Sequence, residues 1–277
     1  MIEVDPLYIE ARRTLLDAVD ALNPHLASVI LVGAQAVYLR TESSSIGIAP
    51  YTTDADLTFD PGTLAEAPAV DAVMEAAGFA MTDVGTWSRS AVVAGEPTNI
   101  DVDLMIPDRV APGSGRRSVD LVGHDRKATR RTVGLEAALV DHDPMEVRSL
   151  VESDSRSFLM EVAGPGGLLV SKVHKIVDRA QGQRPDRLRN KDAGDLYRMF
   201  QVIDAREMAG RLSRALADPA SEEVTTRALS DLRTLFGRRG GTGIEMIQAA
   251  VGVSGPAAAA ISVVSTNYVE RIVGLLG

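Results

Sequence analysis

Four aspartates occur in two alternating pairs whose spacing would suit a divalent metal ion. Asp54 and Asp56 are two residues apart, and so are Asp101 and Asp103. Because side chains two apart on a β-strand share a face, each pair predicts two neighbouring carboxylates. Mg²⁺ prefers hard oxygen ligands, and two carboxylates on one strand with a third from a neighbouring strand can hold two ions about 3.5 to 4 Å apart around a triphosphate. The alternative is a solvated strand edge.

A glycine turn precedes the first acidic pair. The apolar run 28–32 is typical of a buried strand, and 34–39 is helix-like, so Gly33 and Ala34 form a strand-to-helix turn. Backbone N–H groups at such a helix start can bind the β- and γ-phosphates of a nucleotide. Gly33 and Ala34 are therefore candidate nucleotide-binding residues, with ordinary turn chemistry as the alternative.

A basic stripe follows later in the chain. Lys172, Lys175 and Arg179 recur at helical spacing, and an apolar stripe at 169, 173 and 176 occupies the opposite side. This pattern predicts a helix that packs on the core and offers cations to phosphate, or else an ordinary surface helix. Asp192 and Asp195 then lie one turn apart at the start of another helix, where acids also serve as caps.

The order of these motifs resembles nucleotidyltransferases of the DNA polymerase β type, and within them the AbiEii-like or MenT-like toxins. The resemblance spans about residues 28 to 200. It implies transfer of a nucleoside monophosphate from an NTP to an acceptor hydroxyl with release of pyrophosphate, using two Mg²⁺ ions. It further implies the 3′ end of tRNA as acceptor and a cognate antitoxin protein as partner. The family usually has serine where this chain has Ala34, and the segment from Gly33 to Asp54 is longer here.

The resemblance also implies roles for individual residues. Asp54 and Asp56 match the catalytic acids and would bind metal together with Asp103. Lys172 matches the lysine at the triphosphate, with Lys175 as its near alternate. Asp192 matches the acid that acts near the acceptor or orients that lysine, with Asp195 as its alternate. Two other readings stay open: transfer to a small molecule or a protein side chain, and a non-catalytic interaction protein with this fold.

Composition limits the other possibilities. The chain has 277 residues, is 45% hydrophobic and contains no cysteine, which excludes disulfides, cysteine zinc sites and thiol nucleophiles. Its four histidines are too scattered for a zinc motif. The N-terminus has no signal-peptide pattern, and no apolar run approaches the ~18 residues of a membrane helix. We therefore predict a cytoplasmic protein with no membrane partner.

Charge is segregated along the sequence. The whole chain carries −9, but residues 1–108 carry −13 and residues 109–191 carry +5. The basic pairs in the second segment predict a polyanion-binding surface, with solvated faces as the alternative. These pairs are Arg116 and Arg117, Arg126 and Lys127, and Arg130 and Arg131.

The periodicities predict an α/β (α+β) fold in two domains. Residues 1–165 would form a nucleotidyltransferase-like domain with a small mixed sheet, and residues 166–277 a helical domain that completes the active-site cleft. Helices are predicted at 6–22, 34–39 and 64–77, and strands at 28–32, 52–59, within 79–93, at 98–106, at 119–122, near 135–150 and at 158–163. In the helical domain, helices are predicted at 168–180, 191–203, 205–217, 220–236, 243–251 and 256–275.

Overall fold

The structure is a computed structural model that describes residues 4–42, 51–181 and 190–277. It divides into two compact units. The first comprises the described residues of Met1–Ala36, Ala49–Leu135 and His142–Ala163. The second comprises the described residues of Val37–Ile48, Glu136–Asp141 and Gly164–Gly277. The last change of unit, between Ala163 and Gly164, is close to the predicted boundary at residue 165. The sequence does not predict that the described residues of 37–48 and residues 136–141 belong to the second unit.

The first unit begins with a capped helix and contains a mixed sheet. The carboxylate of Asp5 accepts the N–H of Leu7 at 2.8 Å, and Pro6 occupies the first helical position. The helices are α1 Pro6–Ala21, α2 Gly33–Arg40, which continues into the second unit, and α3 Val70–Ala76. The strands are β1 Val29–Val32, β2 Asp54–Phe59, β3 Ala80–Asp83, β4 Thr86–Val93, β5 Glu96–Pro107, β6 Arg130–Thr132, β7 His142–Arg148 and β8 Ser157–Ala163.

The strand order places β2 and β5 in the middle of the sheet. The path runs β3-β4-β5-β2-β1-β8-β7, and β6 pairs with β5. The pairs β1–β8, β2–β5 and β5–β6 are parallel and the others antiparallel, which confirms a mixed α/β architecture. Helix α1 contacts β2, β4 and β5. One face of β2 and β5 is fully buried and apolar; it carries Ala55, Leu57, Phe59, Ile100, Val102 and Leu104.

Three predicted elements of the first unit differ, in part or wholly, from the structure. The helix predicted at 64–77 begins only at Val70, because Pro68 cannot donate a backbone hydrogen bond and disfavours helical geometry before it. The region 79–93 forms a hairpin of two strands, β3 and β4, instead of one strand. Residues 119–122 are not a strand; the neighbouring Ser118 makes an isolated bridge to Arg130.

The second unit is helical, as predicted. Its helices are α4 Pro165–Gln181, α5 Lys191–Val202, α6 Ala205–Ala217, α7 Glu222–Phe236, α8 Thr242–Val251 and α9 Gly255–Leu276. Helix α4 contacts α5, α6 and α7. The fully buried Asp141 fixes its start, since its carboxylate accepts the N–H of Gly167 at 3.0 Å and pairs with Arg211 at 3.0 Å. No helix in the described part of the chain is long and apolar enough to cross a bilayer.

Candidate functional site

The two aspartate pairs lie side by side on one face of the sheet. In the parallel pairing of β2 with β5, Asp54 is opposite Asp101 and Asp56 is opposite Asp103. Residues opposite each other in a ladder point to the same side, so the four carboxylates share a face. We call these four residues the acidic face. The acids share this face because side chains alternate along a strand, and the residues between them, Ala55 and Val102, point to the other side and pack in the apolar core.

Gly33 lies directly against one carboxylate of the acidic face. The glycine has φ +72°, and a β-carbon added to it would come 1.9 Å from Oδ2 of Asp56. Any larger residue would therefore meet the carboxylate as well as backbone strain. Asp56 itself is only 6% exposed. The predicted glycine turn and the predicted acid strand thus meet at one point of the first unit.

Ala34 differs from the expectation for a nucleotide-binding side chain. It is 3% exposed, so its methyl group is buried. Whatever this turn offers a phosphate must come from backbone N–H groups, since the side chain of alanine has no hydroxyl. The assignment of Gly33 and Ala34 to nucleotide binding stays a prediction.

Gln35 holds this turn in place, and the sequence argument missed it. Its buried amide donates to the carbonyl of Asp54 at 3.1 Å and to that of Ala11 at 3.2 Å. Its oxygen accepts the Nε–H of Arg12 at 2.8 Å. One side chain thereby ties the start of β2 to helix α1. An amide inside an otherwise apolar run was the available signal, because buried polar groups need partners.

Asp103 has a strong partner of its own. Its Oδ2 lies 2.5 Å from the Nη2 of Arg130, and its Oδ1 accepts the hydroxyl of Thr86 at 2.7 Å. Two residues earlier on β5, Asp101 accepts a hydrogen bond from the hydroxyl of Ser88. The sequence singles out the acids and Arg130 but neither the two hydroxyl donors nor the pairing of Arg130 with Asp103, because strand pairing decides which side chains face each other.

The donor set suits a hard cation at part of the acidic face. Asp54 and Asp56 supply carboxylate oxygens beside a turn that a β-carbon would fill, which fits Mg²⁺ chemistry. Both oxygens of Asp103 already accept hydrogen bonds. Among the described residues, no three His, Cys, Asp or Glu side chains are grouped to hold a metal ion. Two ions, and Asp103 as a ligand, remain predictions.

The second unit contains a buried charge cluster centred on Lys172. Its Nζ lies 2.8 Å from Oδ1 of Asp192 and 2.6 Å from Oδ2 of Asp195, and Lys172 is 3% exposed. Arg179 pairs with the second oxygen of Asp192. Helices α4 and α5 bring these residues together, as the expectation that Asp192 orients the lysine requires. We call this group the Lys172 cluster.

Electrostatics in the Lys172 cluster favour the charged forms of Lys172 and Asp192. Burial alone would lower the pKa of Lys172, but the carboxylates of Asp192 and Asp195 outweigh it and hold that pKa above its ordinary value. Burial would likewise raise the pKa of Asp192, and the positive charges of Lys172, Lys175 and Arg179 bring it well below its ordinary value. The surroundings of Lys172 thus favour its pairing with two carboxylates over the expected contact with a phosphate. Lys175, on the same stripe, is only half-buried.

The basic segment is largely used for internal contacts. Arg117 pairs with Asp83 at 2.9 Å, and Arg126 lies 3.4 Å from Asp120. Arg131 donates to backbone carbonyls, including those of Ser118 and Ala111, and Arg130 pairs with Asp103 as described above. Four of the six predicted cations therefore have partners within the chain: Arg126 and Arg131 have theirs inside the segment, and Arg117 and Arg130 have theirs on strands β3 and β5. Arg116 and Lys127 are exposed.

Comparison with known proteins gives little further information. No family model and no curated protein matches the chain. Among solved structures, the chain is similar to JHP933 from Helicobacter pylori, with 12% sequence identity and a TM-score of 0.44 over 98% of this chain and 96% of that one. A likeness of this size assigns neither a family nor a function.

Proposed function

We propose that this protein is a metal-dependent nucleotidyltransferase that moves a nucleoside monophosphate from an NTP to an acceptor hydroxyl. The observation that carries the proposal is the contact between Gly33 and Asp56. It joins a turn suited to phosphate binding to a strand whose acids suit Mg²⁺. Asp54 on the same face and the motif order along the chain support it.

The residues of the first unit would bind and orient the nucleotide. Asp54 and Asp56 would hold Mg²⁺, which when bound screens the triphosphate charge and lowers the pKa of an acceptor hydroxyl. The backbone at Gly33 and Ala34 would donate N–H groups to the phosphates. Gln35 would keep the turn and β2 in register through its bond to the carbonyl of Asp54.

The resemblance implies a cation for the leaving pyrophosphate, and the residues that match it belong to the second unit. Lys172 is held by Asp192 and Asp195, so we assign it the role of fixing these acids between α4 and α5. Lys175 then takes the phosphate contact that the resemblance gives to Lys172. Preorganised charge of this kind stabilises a transition state because it needs no rearrangement during reaction.

The acceptor we propose is the 3′ end of tRNA, which rests on the resemblance alone. Purified protein with Mg²⁺ is incubated with each α-labelled NTP in turn, together with total RNA, cellular protein or a small-molecule extract. Label on tRNA supports the proposal. Label on protein or a small molecule keeps the reaction and replaces the acceptor, and no label from any NTP contradicts it.

A toxin role with a cognate antitoxin is proposed on the same basis. Modified tRNA ends cannot be aminoacylated, so expression should slow growth. The comparison is between wild type and Asp54→Ala expressed at equal levels in several hosts. Equal growth of the two would contradict the toxin role and leave the transfer reaction to be judged by the labelling experiment.

A further inference from the structure

We propose that Arg130 is a positioning residue that holds Asp103 and competes with a divalent metal ion for its carboxylate. This inference rests on the proposed function, because it takes Asp54 and Asp56 as the metal ligands. Both oxygens of Asp103 accept hydrogen bonds, one from Arg130 at 2.5 Å and one from Thr86 at 2.7 Å. Each oxygen of Asp103 therefore has one lone pair engaged, and the adjacent guanidinium charge repels a cation that would bind the other lone pairs, so Arg130 opposes ligation.

Backbone geometry fixes Arg130 beside the acidic face. In the parallel pairing of β6 with β5, Arg130 is opposite Met105, two residues beyond Asp103. The turn between β3 and β4 packs against it: Gly85 has φ +69°, and a β-carbon there would lie 2.5 Å from the backbone nitrogen of Arg130. The carbonyl of Gly85 also accepts the N–H of Leu104 at 2.7 Å. The cation is therefore part of the sheet edge and not a chance surface contact.

The ion pair gives the acidic face a counter-charge of its own. Four carboxylates on one sheet face repel each other, and a neighbouring guanidinium relieves this repulsion as a metal ion would. The pair is only partly enclosed, with Arg130 26% and Asp103 19% exposed. The buried Nε of Arg130 has no hydrogen-bond partner among the described residues. The guanidinium thus occupies the carboxylate of Asp103 at a partly enclosed position of the acidic face.

The consequence is a metal site that lacks its predicted third ligand. Asp54 and Asp56 bind the ion, and Asp103 joins them only when Arg130 is removed. Removing the guanidinium should then strengthen metal binding, and removing the carboxylate of Asp103 from the intact protein should change it little. A site in which Asp103 is a resident ligand predicts the opposite for both changes.

The test is calorimetric titration of the metal-free full-length protein with Mn²⁺ in the absence of nucleotide. Arg130→Met retains the apolar stem of the side chain and removes its donors. We expect Arg130→Met to bind Mn²⁺ about tenfold more tightly, since hydrogen bonds to charged groups have this size. Asp103→Asn should stay within about twofold of wild type. The double variant Arg130→Met/Asp103→Asn should return to the wild-type affinity, which places the gain at Asp103.

Two controls make the outcome specific. Arg126→Met removes a guanidinium from an ion pair with Asp120, both in the basic segment, and should leave Mn²⁺ affinity unchanged. Arg130→Lys restores the charge without the planar fork and should bind Mn²⁺ more weakly than Arg130→Met. If Arg130→Met does not fold, Asp103→Asn still decides the question: affinity within about twofold of wild type supports the inference, and a large loss overturns it.

Unchanged or weaker Mn²⁺ binding by Arg130→Met overturns the inference, as does a large loss of affinity in Asp103→Asn alone. Either result leaves the proposed function standing if Asp56→Asn abolishes binding. Failure of wild type and Arg130→Met alike to bind Mn²⁺ overturns both the inference and the metal site of the proposed function.

Discussion

A β-carbon on Gly33 would lie 1.9 Å from Oδ2 of Asp56, so the glycine backbone and this carboxylate are in direct contact. Gly33→Ala should therefore displace Asp56 and add left-handed backbone strain of about 1–2 kcal/mol. We expect a lower free energy of unfolding, measured by urea titration, and weaker Mn²⁺ binding, measured by calorimetry.

The matched control for this prediction is Gly95→Ala. Gly95 also has a positive φ, of 88°, but a β-carbon there meets nothing within 4 Å. It should show the backbone strain without the loss of Mn²⁺ affinity. If both variants bind Mn²⁺ like wild type, the contact between Gly33 and Asp56 has no part in a metal site.

Lys172 should matter for stability as well as activity. Lys172→Ala leaves the buried carboxylates of Asp192 and Asp195 without their shared cation, and breaking a buried ion pair typically costs about 3–5 kcal/mol. Lys175→Ala, at a half-buried position, should lower the free energy of unfolding far less than Lys172→Ala does. It should still reduce the rate of nucleotide transfer.

The measurements are urea unfolding and transfer rate for Lys172→Ala, Lys172→Arg and Lys175→Ala. Arginine should rescue stability only in part, because its planar fork differs from an ammonium. A Lys172→Ala protein as stable as wild type would show that the Lys172 cluster is not the buried ion network described here. Full transfer activity in Lys175→Ala would remove that residue from the phosphate role.

His124 should make stability depend on pH. Its Nδ1 accepts the N–H of Val70 at 3.0 Å, and its Nε2 lies 3.0 Å from the carbonyl oxygen of Ala65. Burial lowers the pKa of His124 below its ordinary value of 6.5, the nearby His25 adds to this effect, and the bond to Ala65 and the charges of Asp71 and Glu66 oppose it. The neutral ring is thus the folded form.

The sign follows from proton uptake. Below the ordinary histidine pKa of about 6.5, the unfolded chain binds the proton more readily than the folded one, so the free energy of unfolding falls as pH falls. Urea unfolding of wild type and His124→Asn from pH 7.5 to 5.5 isolates this contribution, because Asn retains an acceptor for Val70 and does not titrate. Parallel pH profiles of the two proteins would contradict the prediction.

Binding of tRNA should depend on Arg116 and Lys127, two exposed cations of the basic segment that are outside the ion pairs described above. If Arg116 and Lys127 contact phosphates, replacing both by alanine should reduce the salt dependence of tRNA binding by about two units of log–log slope. Arg117→Ala should have a smaller effect, since Arg117 already pairs with Asp83. Filter binding across a salt series measures the slopes. Identical slopes for wild type and the double variant would exclude this surface.

Local patterns predict most elements of this fold, for identifiable reasons. Asp5 and Pro6 mark the start of α1 because a cap and a proline act on the nearest turn. The alternation around Asp54 and Asp56 predicts β2 because its core face and polar face must differ. Pairing is not local: nothing in either strand alone fixes Asp56 opposite Asp103.

The candidate site shows the same limit. Helical spacing correctly indicates that Lys172 and Lys175 share a stripe, but it cannot show that Asp192 and Asp195 on α5 enclose Lys172. Charge counts likewise find the basic segment without showing that Arg130 faces Asp103. In each case the counter-charge lies on another element, and only packing decides the partner.

The most direct test of the account is the transfer of α-labelled nucleotide by Asp54→Ala and Asp56→Ala, beside Asp83→Asn as an exposed acid outside the acidic face. Loss of either acid should reduce transfer by about a hundredfold or more, while thermal melting stays level or rises because crowded carboxylates repel until metal binds. Asp83→Asn should retain activity. Wild-type transfer by Asp54→Ala or Asp56→Ala, or their unfolding, would show that these acids are structural and contradict the proposed reaction.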